Sequence, residues 1–291
     1  MRPLAFAVLV ACAACSKSAS PTWDVAQDST HRVATISGLS GPEAVRYDPD
    51  QDVYFISNFN GEPQSDANGF ITRARADGTI DSLRFMVGTT AAPMHGPRGM
   101  FITADTLWVA DADGVHLFHR RTGAQLRFID FLSLAPGFLN DIAQGPDGAI
   151  YITDTGRPRV YRISGGAVTI AIEDTAVGMP NGITWDSPNS RFLLASWNPG
   201  VPIRAWDGRA GVTTIGAAGG GRNDGIELVG DRLLIASQAD SSINMLAGGT
   251  VRPYIRVTGA PADIGVDTRR SRVAVPYVDL NRVDIWALPP Q

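Results

Sequence analysis

The sequence predicts an all-β protein: a six-bladed β-propeller of four-stranded antiparallel blades, with the ring closed by an N-terminal strand in the last blade. Three observations carry this. One pattern recurs six times, in PEAVRYDPDQDVYFISN, PRGMFITADTLWVAD, LNDIAQGPDGAIYITD, PNGITWDSPNSRFLLAS, NDGIELVGDRLLIAS and ADIGVDTRRSRVAVPY. The copies are evenly spaced. The last copy runs out of chain one strand short, while HRVATISGL, ahead of the first copy, is a strand with no other home.

Each copy opens on a polar or small residue, continues through a short apolar alternation and turns on Asp, Gly, Pro or Asn. It then runs into a β-rich strand that ends on a polar residue. Turns such as DPDQD, GPDG and DSPNS suit tight connections between antiparallel strands. With Glu43, Arg98, Asn140, Asn181, Asp224 and Ala262 as equivalent positions, the steps are 55, 42, 41, 43 and 38 residues. Propeller blades repeat at about 40–45 residues. A third strand follows in each copy, as in FITRARAD, RVYRIS and RVDIWAL, and a fourth in most, as in TIDSLRFMV and AVTIAIE. A pair of β-sandwiches is the alternative, but sandwiches do not require such even spacing.

The chain divides into a leader (1–15), a tether (16–30) and one propeller domain (31–291). The leader has one arginine, a short apolar run and small residues, which describes an export signal too short to span a bilayer comfortably. LVAC, ending at Cys12, is similar to a bacterial lipobox; Cys15 is the other candidate, and a cleaved soluble signal or an uncleaved anchor are the remaining readings. The expected location is therefore extracytoplasmic, periplasmic or on the outer membrane, with membrane contact only through a lipid on Cys12. Both cysteines lie in the leader, so the domain has no disulfide, zinc thiolate or cysteine nucleophile. A formal net charge of −4 offers no basic face for nucleic acid. The expected partner is a small molecule, and the expected state a monomer.

The first strand of each blade lines the central channel, so the six opening residues face one another. Glu, Asn, Asn and Asp at four of six positions is not the choice of a packed apolar axis. Glu43, Asn140, Asn181 and Asp224 make an all-oxygen donor set of charge −2, which suits Ca²⁺ or another hard divalent cation. Singly, Asn181-Gly182 and Asp224-Gly225 read as turns; in register, facing carboxylates call for a cation between them.

PEAVRYD, LNDIAQGPDG, PNGITWD and NDGIEL resemble the motifs of the regucalcin and gluconolactonase group, whose relatives include diisopropyl fluorophosphatase and the paraoxonases. The resemblance spans about residues 31–288. It implies a metal held by Glu43, Asn140, Asn181 and Asp224, with Asp224 doubling as general base or nucleophile. Two departures stand out. Gly41-Pro42 precede Glu43 instead of following it, and Arg98 occupies the second-blade position where paraoxonase-like members often place a histidine, His95 lying three residues earlier. Arg98 is then a candidate for binding a carboxylate, phosphate or oxyanion, or for pairing with Asp111. His95, Asn58, Asp111, Asp154, Asn198 and Gln238 are candidate substrate-side residues on the rim.

Other motifs carry less. NFNGEPQSDANGF lengthens the first copy on the mouth side and is either a lid or a solvated loop. His116 and His119 point to opposite faces of a strand and cannot share a metal, DADG at 111–114 reads as a turn, and no G-x-S-x-G occurs. Two functions follow: a calcium-type metal-dependent hydrolase of lactones or esters, favoured by the complete donor set, and a non-catalytic ligand- or peptide-binding propeller with a structural metal, favoured by the missing second-blade histidine.

Overall fold

The computed structural model describes residues 26–27, 31–62, 66–209, 211–216 and 221–288; the leader, Cys12 and Cys15 lie outside them. Six antiparallel sheets follow one another in chain order. Blade I is Pro42–Asp48, Val53–Asn58, Phe70–Arg75 and Ile80–Met86; blade II is Met100–Thr103, Thr106–Ala110, Gly114–His119 and Gln125–Asp130. Blade III is Leu139–Gln144, Ile150–Asp154, Arg159–Ser164 and Ala167–Glu173; blade IV is Pro180–Asp186, Arg191–Ser196, Ile203–Trp206 and Thr213–Gly216. Blade V is Asn223–Val229, Arg232–Ser237, Ser242–Ala247 and Thr250–Arg256. Blade VI takes Gly265–Asp267, Arg272–Tyr277 and Arg282–Ala287 from the C-terminus and Arg32–Ser37 from the N-terminus.

The closure is the predicted one. Ala34 pairs with Ile285 and Ile36 with Val283 in an antiparallel ladder, so the third strand of blade VI has no open edge. Two residues of the tether, Ala26–Gln27, add a short parallel strand outside blade V, opposite Ile255 and Arg256.

Burial follows from the layering. Second strands are sandwiched between neighbouring blades and are mostly buried, Val53–Asn58 along its whole length. Outer strands face solvent on one side and alternate, as in Arg32–Ser37. Six apolar clusters fill the interfaces between successive blades. That between blades I and II packs Phe55, Met86, Met100, Leu107, Val109 and Phe118; that between VI and I packs Ile36, Val45, Tyr54, Val283 and Ile285.

At the axis the inner strands nearly touch. Val45 donates its amide to the carbonyl of Asp263 at 3.1 Å and Asp263 donates to Glu43 at 2.9 Å, joining the last blade to the first. A Cβ on Gly182 would lie 2.5 Å from the Asp224 carbonyl, and one on Gly225 would lie 2.0 Å from the Asp263 carboxylate. Glycine at these positions lets the inner strands converge. Inner strands of blades I, III, IV and V carry a register shift at their first residues, and this bulge turns the opening side chain towards the mouth.

Candidate functional site

A cavity of about 670 Å³ occupies one mouth of the channel. Glu43, Asn140, Asn181, Asp224 and Ala262 line it together with Gln238. Five of the six positions equated from sequence therefore meet at one place. The sixth, Arg98, is buried and does not line the cavity. Its guanidinium lies 3.6 Å from the Phe138 ring centroid and 5.7 Å from that of Phe59, and donates to the Leu139 carbonyl at 3.2 Å. Burial lowers its pKa to about 10 against the pull of Glu43, Asp111 and Asp154.

The four donors share one property. Glu43 Oε2, Asn140 Oδ1, Asn181 Oδ1 and Asp224 Oδ1 are all buried without a hydrogen-bond partner. Buried polar atoms almost always find partners, so four orphans around one cavity mark a place for an electrophile. Their orientation is enforced. Asn140 donates Nδ2 to Thr155 Oγ1 at 3.0 Å, and Thr155 passes its own hydroxyl hydrogen to the Pro180 carbonyl at 3.0 Å. The amide therefore turns Oδ1 to the cavity. Gln238 Nε2 holds Asp224 Oδ2 at 2.9 Å and leaves Oδ1 open.

The charge balance agrees. Burial, and then Asp224, push the Glu43 carboxyl well above its ordinary range, with Arg98 opposing. Burial, followed by Asp141, pushes Asp224 up to about 7, although Gln238 and the Gly225 amide favour its charged form. Positive charge added between the two carboxyls would favour the ionised form of both. The residues thus fit a divalent cation.

The other rim candidates are placed differently. Asn58 and Asp154 end their second strands and Asp111 directly follows its own, but none of the three lines the cavity, and each grips the loop that leads into its own blade. Asn58 Oδ1 accepts from Ser40 at 3.0 Å. Asp111 accepts from the amides of His95 and Gly96 at 2.7 Å and contacts His116 Nε2 at 3.0 Å. Asp154 accepts from the amides of Gly137, Phe138 and Gly156 and from Tyr161. His95 contributes its amide to this clamp, and its ring accepts from Ala67 at 3.1 Å. Asn198 donates its amide to Ser196 Oγ and lies outside the cavity.

Asp111, Asp113 and His116 bring ligand-type atoms within 4.8 Å of one another, beside the DADG turn. The Asp111 carboxylate is already taken up there. Burial alone would raise its pKa, but His116 and the backbone amides hold it below the ordinary carboxylate range. Asp111 thus serves as a loop clamp, while Asp113 keeps one buried oxygen without a partner; the mouth, with four such oxygens around one cavity, is the stronger metal candidate.

Sequence reasoning overlooked much of the cavity wall. The residue just beyond the second strand of blades I, III, IV, V and VI is Phe59, Thr155, Trp197, Gln238 or Val278, and all five line the cavity. Because successive residues face opposite sides, the last polar residue clamps its loop while the next looks into the mouth. The repeat carried this signal one position further on. Phe138, Met179 and Leu280 complete a largely apolar wall.

No family model matches the chain, and no curated protein matches it in sequence. The fold is that of several solved structures. A gluconolactonase from Xanthomonas campestris superposes with a TM-score of 0.68 at 17% identity, over 89% of this chain and 92% of that one. Regucalcin, a calcium-binding protein from Agrobacterium tumefaciens, gives 0.66 at 17% identity, over 89% and 93%. A streptogramin B lyase gives 0.61 at 14% identity, over 88% and 97%. The resemblance seen in the sequence motifs is matched by the same architecture.

Proposed function

We propose that the protein is a metal-dependent hydrolase of lactones or esters, with a calcium-type cation held by Glu43, Asn140, Asn181 and Asp224. The observation that carries this reading is the set of four orphaned oxygens facing one cavity. A bound cation would polarise the scissile carbonyl and stabilise the oxyanion that forms. Asp224, restrained at Oδ2 by Gln238, would take a proton from water or attack the carbonyl itself. Phe59, Phe138, Met179 and Trp197 give the substrate an apolar surface and exclude water. An aryl or alkyl substituent suits this wall better than a ring of free hydroxyls. Export, read from residues 1–15, would put that substrate outside the cytoplasm.

The test is hydrolysis of apolar-substituted lactones and aryl esters, with a sugar lactone as polar control, before and after chelation. Asp224→Asn keeps an oxygen donor but removes the base. It should lose about 100-fold in turnover, the usual scale for a general base, while still binding calcium by calorimetry. Wild-type rates in Asp224→Asn would overturn the hydrolase.

A second reading, a ligand-binding propeller with a structural cation, is favoured by Arg98, which is sealed behind Phe138 and away from the cavity. Calcium-dependent stability with no turnover on any panel member would select it.

A further inference from the structure

The mouth's four donors stand on blades I, III, IV and V, and blades II and VI place something else at the ring. On blade II, Arg98 is 1% exposed and lies behind the rings of Phe138 and Phe59, which close that side. On blade VI the ring residue is Ala262, and the loop before it brings Gly259 and Ala260 to the cavity wall. The cavity is therefore widest in side-chain terms at blade VI. This part adjoins Glu43 on blade I and Asp224 on blade V, which are 5% and 3% exposed and each keep a buried oxygen without a partner. Its outer side is the short helical turn Val278–Leu280, all of which lines the cavity. A Cβ on Gly259 would lie 2.9 Å from Leu280 Cδ1 and 3.2 Å from Tyr277 Cδ1, so both side chains are seated on the loop backbone. Asp279, at the centre of the turn, is exposed, and among the described residues its carboxylate makes no ion pair or hydrogen bond. The charged side chains of the cavity wall are Glu43, Asp224 and Asp279, all acids.

We propose that the blade VI side of the cavity is a subsite for an apolar arm of the ligand, and that this arm ends in a basic or quaternary ammonium group held at Asp279. A divalent ion at the mouth offsets the charges of Glu43 and Asp224 and leaves that of Asp279. Ala262, Val278, Leu280 and the Tyr277 ring give the arm apolar contact. The ammonium meets Asp279 at the solvent edge, where it keeps much of its hydration and loses little on binding. A carboxylate or phosphate in the same place would meet a like charge. An arm seated here keeps its reacting carbonyl beside Glu43 and Asp224. The substrate class is then an amine-bearing lactone or ester; this rests on the hydrolase reading for turnover, but not for binding.

The experiment is calorimetric titration of the purified protein, in excess calcium, with phenylpropyltrimethylammonium, phenylbutanol and phenylbutyrate. The ammonium should bind about threefold to fivefold more tightly than the alcohol, the scale of an exposed ion pair, and the butyrate more weakly than either. Added salt should narrow this order. Asp279→Asn should bind the ammonium no better than the alcohol, with the alcohol and the melting temperature unchanged. Ala260→Leu, at an exposed position, should fill the subsite and weaken all three probes by about tenfold or more. Amine-bearing and neutral aryl esters, compared by kcat/KM in wild type and Asp279→Asn, extend the test to turnover. The charge order without turnover of either ester upholds the subsite and leaves the binding propeller; turnover without the charge order overturns the subsite alone. No binding of the ammonium, an order that survives in Asp279→Asn, or full affinity in Ala260→Leu would also overturn the inference.

Discussion

Asp154 and Asp224 are the same residue type, equally buried and both near the mouth of one channel, yet they do opposite things. Asp154 meets three backbone amides and a tyrosine hydroxyl. Asp224 has a single side-chain donor, from Gln238 on Oδ2, and Oδ1 is left open. Asn58 and Asp111 belong with Asp154; Glu43, Asn140 and Asn181 belong with Asp224. Neither residue type nor burial separates the two sets. Hydrogen-bond satisfaction does: a saturated carboxylate has no capacity left for a ligand, whereas an orphaned one stores a cost that a ligand relieves.

Removing a saturated member should give the largest effect. Asp154→Ala strands the amides of Gly137, Phe138 and Gly156, and should cost about 3–5 kcal/mol, since each lost charged hydrogen bond leaves a desolvated donor behind. Calcium should not restore it. Denaturant unfolding with and without calcium checks this; a loss below about 1 kcal/mol, or one that calcium repairs, would erase the distinction between the sets.

The orphaned set should instead show itself through pH. In the folded chain Asp224 and Asp141 are both raised to about 7, in each case chiefly by burial, against about 3.9 in the unfolded chain. The folded state binds these protons more tightly, so their contribution to stability is complete at low pH and is lost as pH rises through about 7. Between pH 5 and 8 the melting temperature of metal-free protein should fall by several degrees, and added calcium should stabilise more at pH 8 than at pH 5. In Asp224→Asn the metal-free decline should shrink. A metal-free profile that rises across this window would contradict the assignment of Asp224 as strained.

The smallest effect tests how an orphan is aimed. Thr155→Val removes the acceptor that holds the Asn140 amide, while Thr155→Ser preserves it. Loss of such outer support typically weakens metal binding by about 10–100-fold. Calcium affinity near the lower end of that range is expected for Thr155→Val and native affinity for Thr155→Ser, measured by calorimetry; equal affinities would mean that Asn140 orients itself.

Much of this was readable in the chain before any coordinates. The six-fold repeat implied the propeller, the unpaired HRVATISGL implied the seam, and the opening residues Glu43, Asn140, Asn181 and Asp224 marked the cavity wall. Each is a local pattern multiplied by the repeat, and in-register copies of one strand must face one axis. Which rim residues look inward was not readable at the same level. Asn58, Asp111 and Asp154 satisfy the repeat as well as Phe59, Thr155 and Gln238 do, and only the pleat at the strand terminus decides which of two adjacent side chains meets a loop amide and which meets the cavity.

The sequence by itself determined the number of blades, the closure and the identity of the ring donors, because periodicity is a property of the chain. Tertiary structure alone decided which polar groups would find partners. Arg98 shares a ring position with Asn140 but is drawn behind Phe138, and Asp263 has no donor while Asp141 has two. Hydrogen-bond satisfaction is a sum over neighbours brought together from different blades, and no single repeat contains them.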